Sequence, residues 1–141
     1  MEFLDVLSRH YEILLFTAAT KPYAEAVIGE LDPSGEYFKY IFHRAHCLET
    51  KNGYRIKDLR IIGNRDLKNI VIVDNLAHSF GYQISNGIPI LGWEGDPFDT
   101  ELKFLAQYLL DAKDHENLRV YNEKHLRLKE LAKLSISQLQ I

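Results

Sequence analysis

The chain has one cysteine, Cys47, and no excess of positive charge. A single cysteine excludes an internal disulfide and a cysteine-rich metal cage. With 17 Lys and Arg against 20 Asp and Glu, the formal net charge of −3 gives no general attraction for a phosphate backbone. We therefore expect neither a disulfide scaffold nor direct nucleic-acid binding.

Long apolar runs are also missing. No stretch approaches the ~20 residues that a membrane-spanning helix needs, and the N-terminus lacks the basic-then-apolar layout of a signal peptide. We therefore expect no membrane span. The expected location is intracellular, nuclear or cytoplasmic, and a mitochondrial one is less expected.

What is present is the composition of a globular domain, with 46% hydrophobic residues in 141, enough for a single core. Strand-like and helix-like segments alternate, which predicts an α/β fold with at least three parallel strands and no second domain. The predicted helices cover 1–9, 21–31, 100–110 and 118–134, and the predicted strands cover 12–17, 37–42, 53–56, 67–74 and 87–91.

The run from Ile70 to Val73 is unbroken Val and Ile, and it stops at Asp74 and Asn75. A parallel strand is covered on both faces, so it is typically a continuous apolar run. Ligands of open α/β sheets bind outside the carboxyl ends of the strands. The pattern therefore predicts that Asp74 is a site residue. The alternative is an Asp that only caps the next helix.

Two further polar residues follow predicted strands. Thr17 comes directly after the apolar run 13–16, and Lys57 comes after the predicted strand 53–56. Together with Asp74 they would suit a phosphoryl group: a hydroxyl donates a hydrogen bond, an ammonium neutralises oxygens and a carboxylate holds Mg²⁺. The alternative for each is a local role, as a satisfied hydroxyl or a solvated cation.

Several short motifs, in order along the chain, resemble those of a known family. They are Phe16–Ala19, Tyr23–Ala24, Leu31–Pro33, Phe42–Cys47, Lys57–Leu59, Asn64–Asn69, Val71–Asn75, Asn86–Ile90, Trp93 and Asp99–Leu102. With them, residues 1 to about 112 resemble the NLI-interacting-factor-like, small C-terminal-domain phosphatases (FCP1-homology domains) of the haloacid dehalogenase superfamily. Residues 113–141 then form a separate amphipathic helical tail.

The resemblance implies a three-layer, Rossmannoid α/β domain built on a parallel sheet. Relatives dephosphorylate Ser and Thr in proteins, some on the tail of RNA polymerase II, through an aspartyl-phosphate and Mg²⁺. Carried onto this chain, the resemblance makes Thr17 and Lys57 phosphate-binding residues, with Lys57 steadying the transferred group. Asp74 and Asn75 would serve the metal, and Arg44 would contact the substrate. The implied partner is a phosphoprotein.

One departure from the family pattern decides the expected activity. Relatives open with an Asp-x-Asp motif that supplies the nucleophile and the general acid/base, and this chain contains no Asp-x-Asp. The acidic residues before Thr17 are Glu2, Asp5 and Glu12, and none of them ends a predicted strand. Covalent phosphoryl transfer needs an aligned nucleophile and a partner that moves the proton. We therefore expect a phosphate and metal cradle without turnover, as in a pseudophosphatase.

The missing motif also predicts a missing strand between the Thr17 strand and the Asp74 strand. Four explanations are open: the chain is part of a longer phosphatase; the gene is a truncated remnant; a partner chain donates the strand; or the two flanking strands pair directly. We favour truncation of a phosphatase-like parent. The main functional alternative is a non-catalytic binding or scaffolding module, similar to the mitochondrial inner-membrane import receptor.

Three other classes of site fit less well. A P-loop nucleotidase is excluded because the chain has no Gly-x-x-x-x-Gly-Lys-Ser/Thr. A phosphoacceptor receiver domain would place its Lys after the acceptor Asp, whereas Lys57 precedes Asp74. His43, His46 and Cys47 are residue types that ligate zinc, but no fourth ligand is evident.

Overall fold

The computed structural model describes residues 2–90, 100–129 and 131. The helices are α1 (Glu2–Leu7), α2 (Lys21–Leu31), α3 (Glu101–Ala112) and α4 (Leu118–Leu126), and the strands are β1 (Ile13–Phe16), β2 (Phe38–Phe42), β3 (Leu48–Glu49), β4 (Arg55–Ile56), β5 (Ile72–Asp74) and β6 (Gly87–Pro89). The described residues form two compact units: unit 1 contains 2–57 and 100–114, and unit 2 contains the others. This differs from the single core that the sequence predicts.

In unit 1, α1 packs against α3, and the hydroxyl of Tyr11 donates to the Leu109 carbonyl oxygen at 2.6 Å. The buried apolar side chains of this unit outside the β3–β4 hairpin are Leu4, Leu7, Ala24, Leu105, Leu109 and Ala112. They lie three or four residues apart within α1 and α3, which is the spacing of one helix face. The helices therefore supply most of the apolar core of unit 1.

Asp32 connects α2 to β2. Its buried carboxylate accepts hydrogen bonds from the backbone N–H groups of Glu36, Tyr37 and Phe38 at 2.9 to 3.1 Å. Burial alone would raise the pKa of Asp32, but these N–H donors outweigh it and hold that pKa below its usual value. One side chain thus fixes the loop that leads into β2.

The sheet of unit 1 is a parallel pair. β1 pairs with β2 with Phe16 opposite Phe42, and the register shifts between Ile13 and Leu14. All four residues of β1 are only partly buried, although all are apolar. In β2, Tyr40 is 58% exposed and Ile41 39% exposed. A parallel pair normally has both faces covered, so this sheet is unusually open.

Unit 2 is built around a second parallel pair, β5 and β6, with Ile72 opposite Gly87. Leu59, Ile72 and Phe80 form a buried apolar cluster beside it. The helix α4 packs on this unit through Asn122, whose Nδ2 donates to the Ser85 carbonyl oxygen at 3.0 Å. Unlike β1, the strands β5 and β6 are therefore largely enclosed.

The α/β class and the parallel pairing are confirmed. The predicted α2 bounds agree with the structure, and α3 and the strands β1, β2 and β6 lie within two residues of their predicted positions. The described strands form three separate two-stranded sheets, with β3 and β4 antiparallel, instead of one continuous sheet. The missing strand between the Thr17 strand and the Asp74 strand stays a prediction.

Three predicted boundaries are wrong for identifiable reasons. The strand predicted at 67–74 begins only at Ile72, because Asp66 caps a 3₁₀ turn at Leu67–Asn69 and the Nδ2 of Asn86 bonds the carbonyls of Leu67 and Ile70. The strand predicted at 53–56 shortens to Arg55–Ile56, since Gly53, with φ +84°, belongs to a turn.

The third wrong boundary is the end of the C-terminal helix, which is predicted to cover 118–134. It ends at Leu126 because Arg127 adopts a left-handed conformation, φ 56°, and its N–H closes the helix on the Glu123 carbonyl. The rest of the predicted tail beyond 131, together with residue 130, lies outside the described residues, as do Trp93 and Asp99.

Candidate functional site

Thr17 begins a tight turn directly after β1. Its N–H donates to the Phe42 carbonyl oxygen at 2.9 Å, and its Oγ1 accepts a hydrogen bond from the N–H of Ala19 at 3.1 Å. Since the oxygen already accepts, the hydroxyl hydrogen remains for an outside acceptor. The turn leads into α2, whose N-cap residue Thr20 makes no side-chain cap bond. Helix N-termini carry partial positive charge, which favours an anion at this turn.

Arg44 packs against the same turn. Its backbone N–H donates to the Ala19 carbonyl oxygen, and its Nε donates to the Ala18 carbonyl oxygen, both at 2.8 Å. These two bonds lay the exposed Arg44 side chain along the turn that begins at Thr17. A guanidinium held by Nε still has its two terminal nitrogens, which form a fork suited to phosphate oxygens.

Lys57 also belongs to unit 1, where it directly follows β4 of the β3–β4 hairpin. β3 pairs with β4 with Leu48 opposite Ile56 and Glu49 opposite Arg55, so the next position sets Cys47 opposite Lys57. The thiol of Cys47 is 3.8 Å from the Thr17 carbonyl oxygen. Thr17, Arg44 and Lys57, three of the predicted site residues, therefore belong to neighbouring elements of unit 1.

Asp74 and Asn75 belong to unit 2. Asp74 ends β5 and is 8% exposed, and its Oδ1 accepts a hydrogen bond from the N–H of Leu76 at 2.9 Å. Its backbone carbonyl accepts from the N–H of Ile90 at 3.2 Å. Asn75 is exposed. The Asp74 carboxylate thus closes a local turn, whereas the N-cap residue of the following 3₁₀ helix, Ala77–Phe80, is Leu76. Asp74 is therefore not the cap of that helix, and its metal-binding role stays a prediction.

The structure adds a buried polar residue, Gln83, that the sequence did not point to. Gln83 donates through Nε2 to Asp58 at 2.8 Å and accepts through Oε1 from the N–H of Leu59 at 3.0 Å. Arg60 donates to both oxygens of Asp58. The hydrogen bonds from Arg60, aided by Gln83 and opposed by burial, hold the pKa of Asp58 far below its usual range. Gln83 carries no sequence signal because its partners lie about 25 residues away.

The sequence as a whole matches one protein-family model. The model describes an NLI interacting factor-like phosphatase and covers residues 1–119. The chain belongs to the NLI interacting factor-like phosphatase family. The turn with Thr17 and Arg44, the hairpin that ends at Lys57 and the strand that ends at Asp74 all lie within the matched residues.

Individual members of the family are similar over most of the chain. CTD small phosphatase-like protein 2 of Dictyostelium discoideum is 38% identical over 92% of this chain, CTD nuclear envelope phosphatase 1B of Danio rerio is 39% identical over 78%, and the mitochondrial import inner membrane translocase subunit TIM50 of Candida glabrata is 38% identical over 73%. The chain spans only 22%, 44% and 21% of these relatives.

A solved structure shares the fold of this chain. The fission yeast RNA polymerase II CTD phosphatase Fcp1, solved bound to beryllium fluoride, superposes with a TM-score of 0.55 at 20% identity, over 88% of this chain and 36% of that one. At this identity the likeness concerns the fold. It supports the α/β fold that the chain shares with this phosphatase.

Magnesium is the metal that the family implies, and the donor set here is incomplete for it. In the described part of the chain, no three His, Cys, Asp or Glu side chains come together as a metal site. Asp74 offers one carboxylate, with an oxygen already engaged by Leu76, and Asn75 offers an amide. Mg²⁺ demands a near-octahedral shell of oxygens. Asp74 and Asn75 would fill only part of that shell, and water and phosphate oxygens usually supply the rest, so their metal-binding role stays a prediction.

None of the helices among the described residues combines the length and apolar character that crossing a bilayer requires.

Proposed function

We propose that this chain is a phosphatase-like module that binds phosphorylated Ser or Thr of a protein partner and does not hydrolyse it unaided. The observation that supports this proposal is the turn at Thr17, because a hydroxyl, a guanidinium and a helix N-terminus lie together there. Lys57, at the end of the neighbouring hairpin, would add a point charge.

Binding follows from the geometry of the turn. The Thr17 hydroxyl would donate to one phosphate oxygen, and the terminal nitrogens of Arg44 would donate to two others. Charge-assisted hydrogen bonds of this kind are stronger than neutral ones. Because Nε of Arg44 is already held by Ala18, little side-chain freedom remains to be lost on binding.

The absence of turnover follows from the chemistry of phosphoryl transfer. A nucleophile must attack the phosphorus in line with the leaving oxygen, and an acid must protonate that oxygen. No Asp-x-Asp exists in this sequence to take those two roles. Family members of this type are generally Mg²⁺-dependent, and we propose that Asp74 and Asn75 keep at most a remnant of the metal shell.

Hydrolysis assays test the absence of turnover. The chain is incubated with a small phosphomonoester and with a phosphoserine peptide, each with Mg²⁺, beside an Asp74→Ala variant. We expect no phosphate release above buffer from either protein. Release by the wild type that Asp74→Ala abolishes would contradict the proposal, since it would show a complete catalytic set.

The open edge of β1 supports a strand-donating partner. The N–H of Thr17 donates to β2. Successive residues of a strand present their backbone groups to opposite edges, so Leu14 and Phe16 present theirs to the edge of β1 that faces away from β2. No described strand pairs there. A guest strand parallel to β1 would end near the turn that begins at Thr17 and leads into the N-terminus of α2, so an apolar strand with an acidic end is complementary in charge.

A peptide of about five Val and Ile residues ending in Asp, with one Lys at its start, tests this partner. We expect it to raise the Tm of the chain, and we expect no rise with the same peptide N-methylated at alternate residues, because that peptide cannot donate to the edge. Equal effects of the two peptides would contradict strand addition. Concentration-dependent dimerisation without peptide would instead assign the edge to a second copy.

The second candidate function is phosphate-independent scaffolding. It is favoured by the similarity to the relative named as a mitochondrial translocase subunit. A partner that binds phosphorylated and unphosphorylated forms equally would support it over the phosphate-binding module.

The compartment remains part of the proposal. Relatives named for the nuclear envelope and for the mitochondrial inner membrane are almost equally similar, at 39% and 38% identity. The similarity therefore supports neither location over the other, contrary to the expectation that a mitochondrial one is less probable. Localisation of the tagged protein with its own flanking sequence would decide between them.

A further inference from the structure

The short turn that carries Arg44 is closed by two histidines. It is a 3₁₀ turn, Arg44–His46, preceded by His43. The Nδ1 of His46 accepts a hydrogen bond from the backbone N–H of His43 at 2.9 Å, and the Nδ1 of His43 accepts a longer one, 3.4 Å, from the N–H of Ala45. Two imidazoles thus cap the turn reciprocally, where a capping box normally uses Ser or Thr with Glu or Gln.

This cap requires neutral imidazoles. A ring nitrogen can accept an N–H bond only with its lone pair, and a protonated imidazole carries hydrogens on both nitrogens. Imidazole is the side chain that ordinarily changes charge between about pH 5 and 8. A capping box made of Ser, Asn or Gln keeps its acceptors at every pH, so the use of two histidines makes this one sensitive to acid.

The cap is adjacent to the groups that hold Arg44 at the phosphate turn. Arg44 is the first residue of the 3₁₀ turn, and it is anchored by its backbone N–H on Ala19 and by its Nε on Ala18. The His43 and His46 rings lie 4.4 Å apart between centroids. Protonation of both rings would place two like charges at that distance, in addition to removing the two acceptors.

Among the residues that the structure describes, no carboxylate bonds either ring and could stabilise its protonated form. His46 packs edge-on against the Phe42 ring at 5.3 Å, and the Cys47 thiol lies 3.9 Å from the His43 carbonyl oxygen. In the described residues neither imidazole forms an ion pair or a hydrogen bond with the charged side chains of the neighbouring elements, which are Lys21, Lys39, Arg44, Glu49, Arg55 and Lys57. Glu49 is instead 3.8 Å from Arg55.

We propose that His43 and His46 are positioning residues that hold Arg44 on the phosphate turn only while both imidazoles are neutral, so that anion binding at this turn weakens on acidification. The inference rests on the proposed function, because it concerns how the anion-binding arginine is held. If the histidines were instead direct ligands of the anion, the pH dependence would be reversed, because protonated imidazoles would bind an anion more tightly in acid.

Sulfate is the probe, because it stays a dianion throughout the range used. Its affinity for the full chain is measured between about pH 5.5 and 7.5, on either side of the ordinary imidazole pKa. We expect the wild type to bind sulfate roughly tenfold more weakly at the acidic end, the loss expected for a displaced charge-assisted contact. A variant that carries both His43→Asn and His46→Gln keeps two acceptors, so its affinity should not change with pH.

The Arg44 Nε–H resonance in NMR spectra of the anion-free protein reports the positioning itself. In the wild type we expect it to shift or broaden as the pH falls, and in the double variant to stay constant. An unchanged resonance in the wild type would overturn the inference, as would tighter sulfate binding in acid. A resonance that shifts in a chain that never binds sulfate would support the positioning role and contradict the proposed function.

Discussion

Each unit of the chain contains one parallel pair of strands, and the two pairs differ in how they are enclosed. In unit 2, Ile72 of β5 and Ile88 of β6 are 8% and 4% exposed. In unit 1, the apolar strand β1 is only partly buried along its whole length, and Tyr40 of β2 is 58% exposed. Unit 2 thus stabilises its parallel pair from its own residues, whereas unit 1 leaves its pair open.

The difference follows from what surrounds each pair. In unit 2, Phe80 packs on Gly87, and Asn86, which is fully buried, ties the incoming loop through the carbonyls of Leu67 and Ile70 at 2.6 and 2.8 Å. In unit 1, polar groups instead gather at the end of β1, where Arg44 bonds the turn that begins at Thr17. We therefore expect substitutions in unit 2 to change stability and substitutions around Thr17 to change binding.

The largest expected loss of stability comes from Gly87→Ala. A Cβ at this position would lie 2.2 Å from Cδ2 of Phe80, a ring that is 2% exposed and has no room to move aside. Overpacking of this kind should lower the free energy of unfolding by about 3 kcal/mol. Urea unfolding measures the loss. Gly63→Ala, in the same unit with nothing within 4 Å, is the control, and equal losses would show that Gly87 is not constrained by packing.

The second-largest loss of stability is expected for Asn86→Ala. It removes two buried hydrogen bonds to backbone carbonyls and leaves the Leu67 and Ile70 oxygens without that donor. We expect a loss of about 2 kcal/mol in the free energy of unfolding. Asn69→Ala, at an exposed position of the same unit, should cost far less. A loss at Asn86 no greater than that at Asn69 would show that the amide does not tie the loop down.

A smaller loss of stability, with a defined pH dependence, is expected for Asp58→Asn. The pKa of Asp58 is lower in the folded protein, so its contribution to stability is complete above the unfolded-state value of about 3.9 and is lost as pH falls below it. The variant should be less stable than the wild type by about 1 kcal/mol near neutral pH, and this difference should shrink in acid. Unfolding curves at several pH values measure it.

Asp66→Asn serves as the control for that series, because Asp66 is exposed and caps a 3₁₀ turn of unit 2. A difference between Asp58→Asn and the wild type that grows as the pH falls would have the wrong sign and would contradict the assignment of Asp58 as a stabilising carboxylate.

Local patterns in the sequence predicted most of the elements. Apolar spacing was enough for α2 and α3, and continuous apolar runs were enough for β1 and β5, because these signals are written into consecutive residues. The predicted strand 67–74 failed in its first half because Asn86, more than 15 residues away, takes the carbonyls that a strand would use.

The candidate site was predictable to a similar extent. Polar residues that follow predicted strands indicated Thr17, Lys57 and Asp74, and the family motif indicated Arg44. What could not be predicted is the contact that gives Arg44 its direction, since the Ala18 carbonyl that it bonds is 26 residues away. The reciprocal cap of His43 and His46 is local, yet histidine is not a usual capping-box residue, so composition alone gave no signal.

The most direct test of phosphate binding at the Thr17 turn is a calorimetric titration of the chain with a phosphoserine peptide, comparing the wild type with Thr17→Val and Thr20→Val. Both variants remove a hydroxyl from the same loop, but only Thr17 has its hydroxyl bonded into the turn. The predicted result is binding that weakens about tenfold in Thr17→Val and is unchanged in Thr20→Val. Equal affinity of all three proteins, or no difference between the phosphorylated and unphosphorylated peptide, would contradict it.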